Sequence, residues 1–443
     1  MKSDSSYSRI IKLSSFFGGI QFLNIAIALI RNKLVAILLG PNGVGLMSLF
    51  NSTANMLGNL TQMGLPISGV REISQYKNNA QEQQRRINMI RVWSFILGCL
   101  GMLLCFVFSP LLSRFTFNWG NHTFHFMALS PVILFTTLAN GEIAIMKGTY
   151  RMRRLAYRSV WSIVAALVVS VPLYYFFGET GIVPSLVAIA MCQYLINMSG
   201  RMSLKDISET INLGKPVVRL GLAFVVAGLF GSGSDFIIRT YLNNTGDLSV
   251  VGLYNTGYMI AVTYGGMLFA SMDNEYYPRL STIPELGLEF NYVVNRQIYL
   301  FLLITALFSA LLMLLMPYIV PLLFSSKFAG IVPMAKWAVL GLLARAAYLP
   351  IEYISLARGD GKSFMIIDCV GYVIVLICVI VGYHLWGITG TGIGIAASAF
   401  ICLLFDLAYT YWRFHFVMTF SNIILVIISG IALALITNLE CVF

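Results

Sequence analysis

The sequence predicts an all-α polytopic membrane protein built from two six-helix bundles. Of its 443 residues, 58% are hydrophobic and 11% are charged, and the mean hydropathy is +0.81. No soluble globular domain buries that much apolar surface. The chain also repeats its own layout about 207 residues further on, where Arg239 corresponds to Arg31 and Gly252 corresponds to Gly45. Two similar halves in an apolar chain are typical of transporters.

Apolar stretches long enough to span a membrane divide the chain into twelve predicted helices and one further segment. The first half, residues 1–212, contains stretches at 10–30, 44–66, 92–113, 123–146, 158–178 and 182–200. The second half, residues 213–415, contains stretches at 219–240, 248–275, 297–323, 328–356, 363–385 and 388–412. The additional hydrophobic segment, 416–443, could hold a thirteenth span, a re-entrant or interfacial helix, or half of a lost pair.

Six spans in each half make the halves parallel repeats. Such repeats are related by a pseudo-two-fold axis along the membrane normal, so we expect the second half to superpose on the first by rotation about that axis. Between spans two and three, the polar segment QYKNNAQEQQRRINMIR at 75–91 predicts an interfacial helix.

The distribution of Lys and Arg predicts a cytoplasmic N-terminus. With that orientation, 22 of the 29 basic residues lie on the cytoplasmic side, and five lie at the outer ends of spans. Short loops rich in Lys and Arg stay inside.

Cysteine labelling tests this orientation. Cysteines introduced by Arg154→Cys and Arg358→Cys should react only from the cytoplasm, and one introduced by Lys327→Cys only from outside. Reaction of the residue 358 cysteine with an impermeant reagent in intact spheroplasts would contradict the orientation.

Composition, motifs and loop lengths argue against several function classes. The net charge of +11 comes from loops beside apolar spans, so we expect no nucleic-acid partner. The GDGKS motif at 359–363 has Leu356 where a P-loop requires glycine, so it predicts a turn. His122 and His125 share a helix face, but no Cys, Asp or Glu stands nearby, and we expect no metal and no cofactor. The loops are too short for a catalytic domain, so we expect no enzyme.

Charged residues inside spans indicate a binding site. A charge at the bilayer centre costs at least about 2.5–3.5 kcal/mol, so it normally faces a cavity or a partner. Arg31, Arg239 and Arg345 come from spans one, seven and ten, and arginine binds phosphate or carboxylate bidentately. We expect these arginines to line one cavity between the halves.

Further polar residues complete the expected site. The other candidate substrate-binding residues are Lys336, Asn51, Asn55, Tyr254, Asn255 and Tyr258. The candidate ion-coupling residues are Asp235, Glu352 and Asp368. Two alternatives stay open: Asp235 and Arg239 could neutralise each other at i, i+4, and the amides could serve only helix packing.

Three segments resemble one family of transporters. LLGPNGVGL at 38–46, GVREISQYKNNAQEQQRR at 69–86 and LLFSSKFAG at 322–330 resemble Wzx-type flippases of lipid-linked oligosaccharides, in particular the O-antigen translocase branch. The wider superfamily also contains MATE-type multidrug antiporters and the lipid II flippase. The resemblance implies two six-helix bundles in a V around a central cationic cavity, and it supports a substrate role for Arg31.

The resemblance also implies a function. It implies alternating access that moves an undecaprenyl-pyrophosphate-linked glycan from the cytoplasmic to the periplasmic leaflet of a bacterial inner membrane. The expected partners are that glycan, membrane lipid, a polysaccharide polymerase and a chain-length regulator. Two alternatives remain: an ion-coupled multidrug antiporter on the same scaffold, and an O-antigen polymerase or ligase.

Overall fold

A computed structural model of the chain describes residues 2–203, 207–270, 276–283 and 286–438. Within these ranges the chain is α-helical almost throughout and contains no β-strand. The helices are α1 (Lys2–Gln62), α2 (Leu65–Gln75), α3 (Ala80–Val107), α4 (Ser109–Thr116), α5 (Thr123–Gly148), α6 (Met152–Phe177), α7 (Ile182–Asn197), α8 (Ile207–Thr245), α9 (Leu248–Tyr258), α10 (Tyr277–Ser281), α11 (Leu288–Leu323), α12 (Val332–Ala357), α13 (Gly361–Phe414) and α14 (Phe420–Asn438).

The fold of a multi-pass membrane protein follows from these helices. In the described part of the chain, eight helical segments are long and apolar enough to cross a membrane. Three of them each overlap two of the predicted spans, namely Leu23–Gln62, Met152–Asn197 and Gly361–Phe414. The predicted all-α membrane fold is therefore confirmed.

The first two predicted spans form one broken helix. α1 bends at Gly40, which has φ 64° and ψ −171°, and Pro41 follows it. Glycine adopts positive φ without a steric penalty, and proline cannot donate the next helical hydrogen bond. Asn24 donates to the Ser159 hydroxyl at 3.0 Å, and Asn59 lines a cavity beside the same serine. The two parts of α1 therefore run antiparallel along α6.

The polar segment before span three differs from the expectation. Residues 75–91 do not form a separate interfacial helix, because α3 begins at Ala80 and continues into the apolar span. Asn79 caps α3 by accepting a hydrogen bond from the Glu82 backbone amide at 3.1 Å. The cap starts the helix inside the polar segment, so the first turns of the spanning helix are hydrophilic.

The predicted span 248–275 is not a continuous helix. α9 ends at Tyr258, a π-helical turn covers Met259–Tyr264, and a 3₁₀ turn covers Met267–Ala270. Residues 271–275 lie outside the described part of the chain. π-helical turns are rare in proteins, and those that occur often lie at functional sites.

The glycine cluster at 387–394 allows a hairpin between predicted spans eleven and twelve. α13 reverses at Trp386 and Gly387, whose φ is 59°. A side chain at Gly382 or Gly390 would collide with the backbone of the opposing arm. At the other end of the hairpin, Arg413 donates to Asp360 Oδ2 at 3.0 Å. The two arms of α13 therefore lie in close contact along their length.

Contacts divide the chain into an N-terminal unit, Met1–Phe236, and a C-terminal unit, Ile237–Phe443. In the C-terminal unit the last apolar segment forms α14, which packs on α11 and α12. Asn422 donates to the Asn295 carbonyl at 2.9 Å, and Asn295 in turn donates to the Val417 carbonyl at 2.9 Å. α14 is itself apolar enough to span a membrane, so the thirteenth-span alternative fits the structure best.

Candidate functional site

The C-terminal unit contains a cavity of about 370 Å³, which we name the carboxylate cavity. It lies among α9, α12 and the two arms of α13. Four residues selected from the sequence line it: Tyr258, Arg345, Glu352 and Asp368. The structure therefore brings a candidate substrate-binding arginine and two candidate ion-coupling carboxylates to one place.

Arg345 is the only basic residue among the described residues that line the carboxylate cavity. It lies in the middle of α12, and its guanidinium carbon is 5.8 Å from the Phe269 ring centroid. Its buried Nε has no hydrogen-bond partner in the described protein. A buried donor left without a partner is costly, so this group is suited to an incoming acceptor.

Three carboxylates face the same cavity. Glu352 follows Arg345 by two helical turns on α12, whereas Asp368 and Asp406 come from the first and second arms of α13. Asp406 is 2% exposed, and its Oδ2 has no partner among the described residues. Glu352 interacts electrostatically with Asp368 and Arg345, yet no ion pair within 4 Å joins Arg345 to a described carboxylate.

The charges that line the carboxylate cavity do not balance. Three carboxylates and one guanidinium leave negative charge in excess when all are ionised, and burial makes that excess expensive. A proton on one of the carboxylates would relieve it. Asp406 was not among the residues predicted for the site, although an acidic residue within an apolar span was the signal.

Arg239 occupies a different environment in the same unit. It is 7% exposed, and its Nη2 donates to Asn255 Oδ1 at 3.1 Å. Its guanidinium carbon is 6.0 Å from the centroid of the buried Tyr254 ring. Three candidate residues thus form one packed cluster, and none of them lines the carboxylate cavity. Lys336 is also buried, on α12, away from that cavity's lining.

Arg31 lies in the N-terminal unit. Its Nε donates to the Ser170 hydroxyl on α6 at 3.3 Å, and it also interacts with the Tyr174 hydroxyl. Ser185 on α7 donates to that same hydroxyl at 2.7 Å. Arg31 is half-buried, and these hydroxyl groups orient its guanidinium.

The N-terminal unit also contains a cavity of about 390 Å³, which we name the amide cavity. Its lining is rich in carboxamides, and the predicted site residue Asn55 is among them. The other lining carboxamides are Asn59, Gln62, Asn140, Gln193 and Asn197. Asn51 is half-buried and does not line this cavity, and Asp235 is half-buried on α8.

The contacts of Glu142 indicate that it stabilises helix packing. Arg91 Nε donates to Glu142 Oε1 at 2.6 Å, and the Ser199 backbone amide donates to Oε2 at 2.9 Å. Both partners of the ion pair are almost completely buried. The pair joins α3, α5 and the segment after α7.

The two histidines noted in the sequence pack against aromatic rings. His122 and His125 have ring centroids 5.2 Å apart, and Phe117 lies 4.2 Å from His122. Burial, with a smaller contribution from His125, lowers the pKa of His122. A neutral imidazole in an aromatic cluster fits a packing role.

Comparisons with known proteins place this geometry in context. Residues 12–283 match the family described as polysaccharide biosynthesis protein. No curated protein matches the chain. Among solved structures, the chain is similar to an inward-facing multidrug resistance MATE family transporter of the MOP superfamily, with a TM-score of 0.74 and 15% identity, covering 88% of this chain and 94% of that one.

Two further structures share the architecture. The lipid II flippase MurJ in an inward closed conformation has a TM-score of 0.60 and 16% identity, covering 96% of this chain and 98% of its own. A MOP superfamily transporter from Pyrococcus furiosus, described by the reverse polarity of its binding pocket, has a TM-score of 0.60 and 15% identity, covering 89% and 94%. At these identities the likeness shows the fold, which is that of the MOP superfamily transporters.

Proposed function

Because this chain belongs to the polysaccharide biosynthesis protein family, we propose that it is a flippase for a lipid-linked oligosaccharide. The family match carries the proposal, since it covers more than half of the chain and concerns glycan synthesis. The MOP transporter fold supports it, because a flippase of a lipid-linked substrate is among the structures that share that fold. The proposed substrate is an undecaprenyl-pyrophosphate-linked repeat unit, such as that of an O-antigen.

The arginines are the proposed phosphate ligands. Arg345 supports this role most directly, because it faces a cavity with a buried donor that has no partner among the described residues. Arg31 and Arg239 are oriented by hydrogen bonds to Ser170 and Asn255. Lys336, Asn51, Asn55, Tyr254, Asn255 and Tyr258 stay candidate substrate contacts.

The carboxylate cavity is the proposed place of ion coupling. Glu352, Asp368 and Asp406 line it together, and protonation or cation binding would remove the excess negative charge. An exchange of a cation for the substrate at this place would make transport depend on an ion gradient. Asp235 belongs to the N-terminal unit and is a separate candidate for coupling.

A second candidate function is favoured by the same cavity. Carboxylates outnumber the single arginine there, and an acidic cavity suits a cationic drug. A MATE family multidrug transporter is also among the structures that share the fold. We therefore retain an ion-coupled multidrug antiporter as the alternative.

The setting of the flippase is part of the proposal. We place it in a bacterial inner membrane with a cytoplasmic N-terminus, where it transfers substrate to the periplasmic leaflet by alternating access. A polysaccharide polymerase and a chain-length regulator would then use the transferred repeat unit in lipopolysaccharide biosynthesis.

Reconstitution distinguishes the two candidates. Proteoliposomes containing the full chain should move a fluorescent undecaprenyl-pyrophosphate-linked disaccharide between leaflets, at a rate that an imposed cation gradient changes. They should not accumulate the cationic dye ethidium. A deletion strain should correspondingly accumulate lipid-linked repeat units in the inner leaflet. Transport of ethidium without transport of the lipid would show that the antiporter alternative is correct.

A further inference from the structure

The amide cavity contains hydrogen-bonding groups that the protein does not use. Within the described part of the chain, the side chains of Asn55, Asn59 and Gln193 make no hydrogen bond. By contrast, Asn140 donates to Gln62 Oε1 at 3.1 Å. Three carboxamides around one cavity therefore offer both donors and acceptors to a ligand.

The cavity is also electrically neutral. None of the described residues that line it carries a charge. Asn55 and Asn59 are exposed and Gln193 is half-buried, so these amides are accessible to a ligand. A hydroxyl that binds there finds hydrogen bonds, whereas a carboxylate loses water without gaining an opposite charge from the lining. Two basic residues lie beside the lining without belonging to it: Arg158 Nη1 donates to the Asn197 backbone carbonyl at 2.7 Å, and Lys147 lines an adjoining cavity of about 340 Å³ that shares Asn59, Gln62 and Asn140 with the amide cavity.

The dimensions fit a small polar ligand. A volume of about 390 Å³ lies within the range of about 300–1,000 Å³ that small-molecule sites occupy. Two of the lining hydroxyls are already bonded within their own helices: the Ser162 and Thr136 hydroxyls donate to the backbone carbonyls of Arg158 and Val132, each at 2.8 Å. Side chains whose hydrogen bonds are already made leave the three carboxamides as the groups that a ligand would meet.

From this geometry we propose that the amide cavity binds uncharged sugar residues of the transported glycan and discriminates against acidic sugars. Sugar hydroxyl and N-acetyl groups are both donors and acceptors, as carboxamides are. A uronic acid would place a carboxylate among groups that provide no positive charge. This inference rests on the proposed flippase function, and it assigns a specificity-determining role to Asn55, Asn59 and Gln193.

Binding to three lipid probes tests the assignment. Native mass spectrometry of the detergent-solubilised full chain compares undecaprenyl pyrophosphate with its conjugates to N-acetylglucosamine and to glucuronic acid. The wild type should bind the N-acetylglucosamine conjugate about tenfold more tightly than the bare lipid, as two or three net hydrogen bonds would produce. The glucuronic acid conjugate should bind at least about tenfold more weakly than the N-acetylglucosamine conjugate.

The variant carrying Asn55→Leu and Asn59→Leu keeps the side-chain volume and removes the amides. It should bind both the bare lipid and the N-acetylglucosamine conjugate with the affinity that the wild type has for the bare lipid. Unchanged binding of the bare lipid also shows that the variant is folded. Thr136→Val is the matched control, since Thr136 lines the same cavity but its hydroxyl is bonded within its own helix.

Each outcome is decisive. If the double variant keeps the wild-type preference for the sugar conjugate, the sugar site is wrong while the flippase proposal stands on bare-lipid binding. A loss of preference in Thr136→Val equal to that of the double variant would also overturn the assignment to the amides. Equal binding of the two sugar conjugates by the wild type would overturn the discrimination against acidic sugars. If the wild type binds none of the three lipids, the flippase proposal fails as well.

Discussion

Replacing Arg345 with alanine is expected to abolish surface display of the glycan at unchanged protein abundance. Arg345 faces the carboxylate cavity with a buried Nε that has no described partner, so its removal deletes a donor without breaking a hydrogen bond within the described protein. A hydrogen bond to a charged group contributes about 1.5–3 kcal/mol, and a bidentate pair contributes two of them. Transport should therefore fall by about two orders of magnitude or more.

Lysine at the same position should retain part of the activity. Arg345→Lys keeps the positive charge and loses the bidentate fork, so display should lie between that of the wild type and that of the alanine variant. Arg296→Ala is the matched control, because Arg296 is an exposed arginine on α11 of the same unit. Display is measured by surface glycan staining, and abundance by immunoblot.

Two results would contradict the role of Arg345 in substrate binding. Full display with alanine would show that the substrate does not need this guanidinium. A loss of display that follows a loss of protein would show that Arg345 serves only to neutralise the cavity's carboxylates. Separate measurement of abundance therefore distinguishes binding from packing.

The helical architecture could be predicted from hydropathy because each apolar stretch had to satisfy its own backbone hydrogen bonds in a membrane. The reversal of α13 at Trp386 and Gly387 falls between the predicted spans 363–385 and 388–412, and glycine at positions 382 and 390 allows the close approach of the two arms. The irregular segment after α9, residues 259–270, was not predicted from the sequence. Its residues are as apolar as a regular helix requires, and π and 3₁₀ turns depend on tertiary packing.

The candidate site was less predictable, because a charge in a span can serve either packing or a ligand. Sequence reasoning grouped Arg239 with Arg345, yet Arg239 is held by Asn255 beside Tyr254, whereas Arg345 lines a cavity. Asp406 lies in a predicted span but was not assigned to the site. Its helix is distant in sequence from Glu352, and only the folding of α13 against α12 brings both carboxylates to one cavity.

Glu142 and Glu352 illustrate the same distinction at corresponding places in the two halves. Each glutamate lies in a span a few residues before a basic residue and a glycine, Lys147-Gly148 in one half and Arg358-Gly359 in the other. Glu142 forms a buried ion pair with Arg91. Glu352 makes no side-chain hydrogen bond and no ion pair within 4 Å to the described protein, and it faces the carboxylate cavity.

Neutralising these two glutamates should therefore have opposite consequences. Glu142→Gln leaves Arg91 as an uncompensated buried charge, which costs about 3–5 kcal/mol, so the protein should unfold at a clearly lower temperature. The molecules that remain folded should still transport. Glu352→Gln relieves the electrostatic repulsion with Asp368, so it should not lower thermal stability, but it should abolish the response of transport to a cation gradient.

Two measurements on the same preparations test this pair. Thermal unfolding in detergent, followed by tryptophan fluorescence, reports stability, and gradient-driven flipping in proteoliposomes reports coupling. The combined change of Arg91→Met and Glu142→Leu provides the control, because removing both partners of a buried pair leaves no charge behind and should restore most of the lost stability. Loss of coupling at unchanged stability in Glu142→Gln would contradict the structural role of Glu142. Full coupling in Glu352→Gln would contradict the coupling role of Glu352. The ion-coupling site would then lie beside Arg91, in the N-terminal unit, instead of beside Arg345.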